Sequence, residues 1–228
     1  MPDPSNDLAA YQRQWHDYYS EKRIVHQWMQ VHLLDALPVT RVLEIGPYLG
    51  LVTAMLENAG YRTTTFDVEE APRAGLASQA SAVLQGDVRV LGPDTASGKD
   101  FDAILCCETL EHIPYGQVGD VLDRMAGTGI RYLVLSVPYM GSQLTFQLYI
   151  NGQIARKYTS LKKFMGFKSF SKPDDQVSWE PHKWEIGYRD YPLSAFRDVV
   201  EQHFRVLRTE FTAGCRSVFL VCENRTPS

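Results

Sequence analysis

Acidic side chains recur where apolar runs of the sequence end. Glu44 closes the first of these runs, Asp67 follows the second, and Glu108 follows the fourth. Asp87, with a glycine before it, follows the third. An ionised carboxylate accepts hydrogen bonds and donates none, so each of these acids could hold hydroxyl or amine groups of a ligand. Four such positions are harder to explain by packing than one.

A glycine turn follows the first acid. The segment Glu44-Ile45-Gly46-Pro47-Tyr48-Leu49-Gly50 joins an apolar run to a helical pattern at Leu51–Ala59. Glycine lacks a Cβ, so the backbone can approach a ligand closely, and the helix N-terminus favours polar or anionic groups. This order of strand, glycine turn and helix is typical of nucleotide-binding sheets, although dinucleotide-binding domains share it.

Two histidines are candidates for proton transfer. His112 lies in the run Glu108–Pro114, and His182 lies in the motif Pro181-His182-Lys183-Trp184-Glu185. The pKa of histidine lies near working pH, which suits a general base. Tyr139 and Trp184 are candidates for the wall of a substrate pocket. For His182, a role in anchoring its loop beside Trp184 stays open.

Structural roles remain open for the acids as well. Glu44 could cap the helix that follows it, and Asp67 and Asp87 could be ordinary turn acids. Glu111 could brace the loop before the next helix. The hypothesis that these acids bind a ligand fails only if all of these structural roles hold together.

Alternating strand and helix patterns position these residues. Such alternation predicts an α/β fold with a doubly wound, mostly parallel, seven-stranded Rossmann-like sheet, whose ligand lies beyond the carboxyl ends of the strands. A short loop near the C-terminus predicts a hairpin with an antiparallel closing strand. The predicted strands are Arg41–Ile45, Arg62–Phe66, Ala82–Gln85, Phe101–Cys106, Ile130–Val137, Phe204–Phe211 and Ser217–Cys222. Helices are predicted at Leu51–Ala59, near 71–77, from Val118 and from Pro192.

The domain organisation is predicted in four parts. Residues 1–40 form an N-terminal helical cap, 41–139 the cofactor-binding core, and 192–228 a helix and closing strands of the same domain. Residues 140–191 are too long for an ordinary connection and predict an inserted lid or substrate segment. Its stretch 151–172 is basic and aromatic and has no acid. In the cap, residues at helical spacing predict an apolar stripe on which His32 falls as a core histidine; its members are Ile24, Val25, Trp28, Met29, Leu33 and Ala36.

Composition limits the classes of function. The chain has 228 residues and a formal net charge of −4, which argues against a general nucleic-acid binder. No apolar run approaches the roughly 20 residues that a membrane helix needs, and residues 1–8 lack a signal-peptide pattern. The four cysteines lack zinc-ligand spacing, so we expect reduced core thiols and a cytoplasmic location. No metal-ligand motif stands out, and an oligomer is compatible with the sequence.

Four motifs resemble the class I S-adenosylmethionine-dependent methyltransferases. They are VLEIGPYLG at Val42–Gly50, the strand end Phe66-Asp67, QGDV at Gln85–Val88 and FDAILCCETLEHIP at Phe101–Pro114. The last is the most specific and is similar to the quinone-biosynthesis, or methyltransferase type 11, group. The resemblance covers about 41–138. It implies S-adenosylmethionine as cofactor and methyl transfer to an oxygen or nitrogen of a phenolic, sugar or carrier-linked small molecule that is anionic or aromatic.

The resemblance also implies residue roles. The sequence departs from the family turn E-x-G-x-G-x-G at Tyr48, which stands at the middle glycine. His112 would lie near the substrate mouth. The implied cofactor contacts are Glu44, Gly46, Pro47 and Gly50 at the methionine end, Asp67, Val68, Asp87 and Val88 at the ribose and adenine, and Cys107 and Glu108 near the methyl exit.

Three other functions remain open. An NAD(P)-dependent oxidoreductase shares the fold and Asp67, but it leaves Asp87 and the Glu108–His112 run without a role. A nucleic-acid or protein methyltransferase could use the basic segment. A non-catalytic cofactor-binding scaffold is compatible with Tyr48 in the glycine turn.

Overall fold

A computed structural model describes residues 13–68, 80–150, 155–162, 182–212 and 217–225. Nine strands occur among these residues: β1 Arg41–Ile45, β2 Arg62–Asp67, β3 Ala82–Gln85, β4 Ala103–Cys107, β5 Tyr132–Pro138, β6 Gln143–Ile150, β7 Ala155–Lys162, β8 Phe204–Thr212 and β9 Ser217–Asn224. The longer helices are α1 Glu21–Asp35, α2 Leu51–Asn58, α3 Val118–Gly127 and α4 Leu193–His203. A further helical segment spans 13–18.

Seven strands form one sheet in the order β3-β2-β1-β4-β5-β9-β8. The first five strands along the chain pair in parallel, whereas β9 is antiparallel to both β5 and β8. The predicted α/β, doubly wound sheet with an antiparallel closing strand is therefore confirmed. The strand order reverses between β1 and β4, which is the point where open α/β sheets bind ligands.

Helices cover both faces of the sheet. On one face, α3 and α4 contribute buried side chains such as Val121, Met125 and Phe196. On the other face, α1 and α2 contribute Leu34 and Leu56. All residues of β4 and β5 are buried, as expected for central strands covered on both faces. This packing holds the carboxyl ends of the parallel strands at one edge.

The predicted apolar stripe of α1 is correct only in its C-terminal part, where Leu33 is buried and Met29 packs against the core. The side chains of Ile24, Val25 and Trp28 are 39–50% exposed, and His32 is exposed and stacks on Trp28. The buried face of the same helix begins instead with His26. The reason is that this part of α1 lies over a cavity with polar walls, and its apolar packing is confined to the C-terminal turns.

Smaller differences concern element ends and the insertion. Strand β4 begins two residues later than predicted, because the carboxylate of Asp102 accepts hydrogen bonds from the backbone nitrogens of Thr40 and Arg41. Within the insertion, β6 and β7 form an antiparallel hairpin that the sequence analysis did not predict. The predicted helix near 71–77 and most of the basic segment 151–172 lie outside the described residues.

The described cysteines lie in the sheet. Cys106, Cys107 and Cys222 are buried free thiols, and Cys215 lies outside the described residues. Burial raises the pKa of Cys106 to about 12, so this thiol stays protonated. None of the helices in the described ranges combines the length and apolar composition that a membrane crossing requires.

Candidate active site

A cavity of about 1020 Å³ lies beyond the carboxyl ends of the parallel strands. The end of each of the first two strands supplies one acid to its wall, Glu44 from β1 and Asp67 from β2. The loop after β4 supplies Glu108, and α1 supplies a polar face across from the strand ends. The α1 residues in the wall are Lys22, Arg23, His26, Gln27 and Gln30.

The glycine turn shapes one side of the cavity. Gly46 has a φ of +69°, and a Cβ added to it would lie 2.9 Å from Oγ1 of Thr109. Its backbone nitrogen donates a 2.9 Å hydrogen bond to the carbonyl of Phe66, which ties the turn to β2. Gly86 is similarly confined, since an added Cβ would lie 2.5 Å from the ring of Phe66. Both positions therefore require glycine, and both line the cavity.

Glu44 is a buried acid with a shifted pKa. Burial raises the pKa of Glu44 to about 7, and the negative charge of Asp67 acts in the same direction. A 2.6 Å hydrogen bond from Oγ1 of Thr53 to Oε2 of Glu44 opposes the shift. Near neutral pH the group is thus poised between its two forms, and a cationic ligand group would favour the carboxylate.

Asp87 differs from the other strand-end acids. Its Oδ1 accepts a 2.8 Å hydrogen bond from the backbone nitrogen of Arg89, and its Oδ2 lies 2.5 Å from the guanidinium of the same residue. The side chain of Asp87 does not line the cavity, whereas Val88 does. Arg89 binds both carboxylate oxygens of Asp87. In this structure Asp87 is therefore not positioned for the predicted contact with a ligand.

The loop after β4 carries two acids with contrasting surroundings. Glu108 has a φ of 51° and accepts a 2.9 Å hydrogen bond from Oγ of Ser136. Glu111 is fully buried, and neither carboxylate oxygen has a hydrogen-bond partner among the described residues. Burial, and then the nearby charge of Glu108, raise the pKa of Glu111 well above its usual range. Its surroundings therefore favour the protonated form of Glu111, and the side chain lines the cavity.

The two predicted catalytic histidines lie together. The rings of His112 and His182 are 5.0 Å apart at an angle of 85°. Nδ1 of His182 lies 2.9 Å from Oε1 of Glu185, and its Nε2 lies 4.0 Å from Oε1 of Glu111. Glu185 can thus orient His182 so that its other nitrogen faces the cavity. Only the tertiary structure brings residue 182 to residue 112.

The same groups could also hold a cation. One ligand atom each from Glu111, His112 and His182 lies within 4.8 Å of the others. Carboxylate oxygen and imidazole nitrogen are ligands that divalent metal ions accept. The sequence analysis singled out no metal ligand, and the adjacent pair Glu111-His112 was the only available signal for this cluster.

His26 is a functional candidate that the sequence analysis missed. It lines the cavity and is 5% exposed, and neither ring nitrogen has a hydrogen-bond partner among the described residues. Its Nε2 lies 4.0 Å from Oε1 of Glu108, and its ring packs on Phe219. Burial lowers the pKa of His26, so the neutral imidazole can accept a proton. The spacing of His26 and Gln30 on one helical face was the signal that could have revealed it.

Comparisons with known proteins bear on this arrangement. A ubiquinone biosynthesis O-methyltransferase from Xanthomonas campestris pv. campestris is 33% identical over 117 residues, which are 47% of this chain and 48% of that protein. The magnesium protoporphyrin IX methyltransferase of Synechocystis PCC 6803, solved with bound SAH, has a TM-score of 0.59, 16% identity, and coverage of 96% of this chain and 95% of that one. The chain therefore has the fold of methyltransferases solved with bound SAH or SAM, and its sequence is similar to that of an O-methyltransferase over about half of its length.

Other solved methyltransferases share the fold over most of this chain. The 1,6-didemethyltoxoflavin-N1-methyltransferase of Burkholderia thailandensis, solved with bound 1,6-didemethyltoxoflavin and S-adenosylhomocysteine, has a TM-score of 0.55 and 19% identity. The match covers 98% of this chain and 91% of that one. Family models give no match to the sequence. The chain spans about half the length of the curated relatives that it matches.

Two residues of the methyltransferase fold are not where the sequence analysis expected them. Trp184, a predicted substrate contact, is fully buried in the core, and its Nε1 donates a 2.9 Å hydrogen bond to the carbonyl of Ile113. Tyr139, the other predicted contact, is half-buried, packs against Phe211 and is absent from the cavity wall. Each ring is occupied by packing within the protein, so a substrate contact by either residue stays a prediction. Met140 lines the cavity instead.

Most of the other predicted site residues meet at the cavity. Gly50, with a φ of +73°, is the N-cap of α2, and neither Gly50 nor Asp87 lines the cavity. The predicted residues that line the cavity are Glu44, Gly46, Pro47, Asp67, Val68, Val88, Cys107, Glu108, His112 and His182.

Proposed function

We propose that this protein is an S-adenosylmethionine-dependent methyltransferase that acts on an oxygen or nitrogen atom of a small molecule. The observation that carries the proposal is that Glu44, Asp67 and Glu108 line the same cavity as His112 and His182. When bound, the cofactor supplies an electrophilic methyl group. The chain then has to orient the reactants and exclude water, which are the main contributions of a protein to such a transfer.

The residues of the glycine-turn side fit the cofactor. Gly46 and Gly86 leave no room for a side chain and so keep the backbone close to a ligand. Asp67 at the end of β2 can accept hydrogen bonds from two ribose hydroxyls. Glu44, whose Oε2 accepts a hydrogen bond from Oγ1 of Thr53, can also pair with a cationic amine at the methionine end. Val68 and Val88 provide apolar contact for the adenine.

The other side of the cavity suits an acceptor that donates hydrogen bonds. Glu111 has oxygens without partners among the described residues, and Glu185 and Glu108 lie nearby in the wall. His182, oriented by Glu185, can accept the proton that an oxygen acceptor loses during transfer. We therefore propose a phenol, sugar or carrier-linked molecule whose hydroxyl or amine faces His112 and His182. The net charge of −4 supports a small molecule over a nucleic acid.

Calorimetry can test the proposal. We expect purified protein to bind S-adenosylmethionine and S-adenosylhomocysteine and to give no heat with NAD⁺ or NADP⁺. Turnover is then sought by measuring S-adenosylhomocysteine release with phenols, amino sugars and thioester-linked acids. Binding of a nicotinamide cofactor alone would support the oxidoreductase alternative. Tight binding of the methyl donor with no turnover in any acceptor class would support a non-catalytic scaffold.

The two histidines give a kinetic prediction. Of the two variants His112→Gln and His182→Gln, the one that removes the general base should lower kcat by about 100-fold, because general-base catalysis contributes on this order. The affinity for S-adenosylhomocysteine should stay within about threefold, because neither ring lies among the strand-end acids. His203→Gln, on the end of α4 beside Asp123, is the matched control. If both cavity variants keep wild-type kcat, neither histidine is the base, and His26 becomes the candidate.

Cofactor binding should tighten as the pH rises toward 7. With a pKa of about 7, Glu44 is largely protonated in acidic solution, so pairing with a cationic amine must release its proton. The Kd of S-adenosylhomocysteine should therefore fall by up to about tenfold per pH unit between about pH 5.5 and 7, and level off above. Calorimetry across this range measures the slope. Glu44→Gln should bind more weakly and lose the slope, and a slope that persists in this variant would assign it to another group.

A further inference from the structure

Tyr48 has a backbone conformation that is costly for its side chain. Its φ of 51° lies in the left-handed region, which residues with a Cβ avoid. Among the described residues, Glu108 is the other non-glycine residue with a positive φ. Such strain persists where surrounding contacts over-determine the conformation. The Tyr48 side chain should therefore make contacts that a glycine could not.

Those contacts go to the residues that precede α1. The ring of Tyr48 lies 4.7 Å from the ring of Tyr18, and its hydroxyl accepts a 2.9 Å hydrogen bond from Nε2 of Gln14. Arg23 belongs to α1, and its guanidinium lies 4.0 Å from the centre of the Tyr18 ring. Tyr48 thus attaches the helical segment 13–18 to the glycine turn.

The same residues belong to the cavity wall. Tyr18, Arg23 and Tyr48 line the cavity together with Pro47 and Asp67. A ligand that Asp67 and the glycine turn hold would therefore be bordered by the Tyr18–Tyr48 pair. The Tyr48 side chain is 46% exposed, so it can lose its contact with Tyr18 without exposing the hydrophobic core to solvent.

We propose that the Tyr18–Tyr48 pair is a latch that holds segment 13–18 against the cofactor cavity and sets the rate at which the cofactor leaves. The identity of the cofactor rests on the proposed function, whereas the attachment of the segment by Tyr48 does not. Tyr48 is a positioning residue, since it acts through the segment and not on the reacting atoms. A glycine at this position would relieve the strain and release the segment.

Hydrogen exchange of the ligand-free protein tests the attachment. In Tyr48→Gly and Tyr18→Ala, amides of residues 13–20 should exchange about tenfold faster, which matches the loss of one aromatic contact. Amides of β1 and β4 should keep wild-type protection. Trp28→Ala removes an exposed ring from α1 and is the matched control, with wild-type exchange at 13–20. Unchanged exchange at 13–20 in both latch variants would overturn the proposal.

Stopped-flow release of S-adenosylhomocysteine tests the effect on the cofactor. Tyr48→Gly and Tyr18→Ala should each release this ligand about tenfold faster than the wild type. The variant that carries both substitutions should release it no faster than either single variant. Wild-type release rates in both variants, or additive effects in the double variant, would overturn the latch. If the wild type does not bind S-adenosylhomocysteine at all, the proposed function fails, and the exchange experiment still decides whether Tyr48 attaches the segment.

Discussion

Replacing Asp67 by alanine is expected to weaken S-adenosylhomocysteine binding by about 100-fold, since two hydrogen bonds from ribose hydroxyls to a carboxylate are lost. Asp67 ends β2 and lines the cavity beside Val68. Asp67→Asn, which keeps the size and one acceptor oxygen, should give an intermediate loss. Calorimetry measures both, and circular dichroism checks that the sheet remains folded.

Asp87→Ala is the matched control for this experiment. Arg89 binds both oxygens of Asp87, and the side chain lies outside the cavity wall, so its removal should change the affinity by less than about fivefold. An equal loss in both variants would mean that Asp87 reads the adenine, as the resemblance implies, and that its pairing with Arg89 opens on binding. Wild-type affinity in Asp67→Ala would contradict the proposed cofactor site.

Replacing Trp184 by alanine is expected to lower the free energy of unfolding by about 4 kcal/mol, the usual cost of emptying a large buried aromatic site. The ring is fully buried and packs against Tyr115 and Phe196, and its Nε1 donates to the carbonyl of Ile113. A typical domain has only about 5–15 kcal/mol of stability, so this loss is a large fraction of it. Urea unfolding should show a lower midpoint with an unchanged slope.

Trp28→Ala controls for the loss of a tryptophan as such. Its ring is 49% exposed on α1, so stability should change by less than about 1 kcal/mol. Trp184→Phe keeps part of the volume and should cost about 1–2 kcal/mol, mainly through the lost hydrogen bond. If Trp184→Ala keeps wild-type stability but loses only turnover on the acceptor, the substrate role expected from the sequence would be restored.

Neither the cluster of Glu111, His112 and His182 nor the position of His26 in the cavity wall could be predicted from local sequence patterns. Glu111 and His112 are neighbours in sequence, but the third group of the cluster comes from residue 182. His26 lies on a helix whose apolar residues suggested the opposite orientation. In both cases, the decisive neighbours are distant in sequence, and local patterns carry no information about them.

The sequence alone determined the α/β fold, the strand ends and most of the predicted site residues that line the cavity. These follow from local rules, because a glycine turn after an apolar run and an acid at a strand end are positioned by the parallel sheet itself. Only the tertiary structure decided which face of α1 points inward, that Arg89 binds Asp87, and that Trp184 is in the core. Those outcomes depend on packing between segments far apart in the chain, and the free energy of such packing cannot be read from the spacing of residues within one segment.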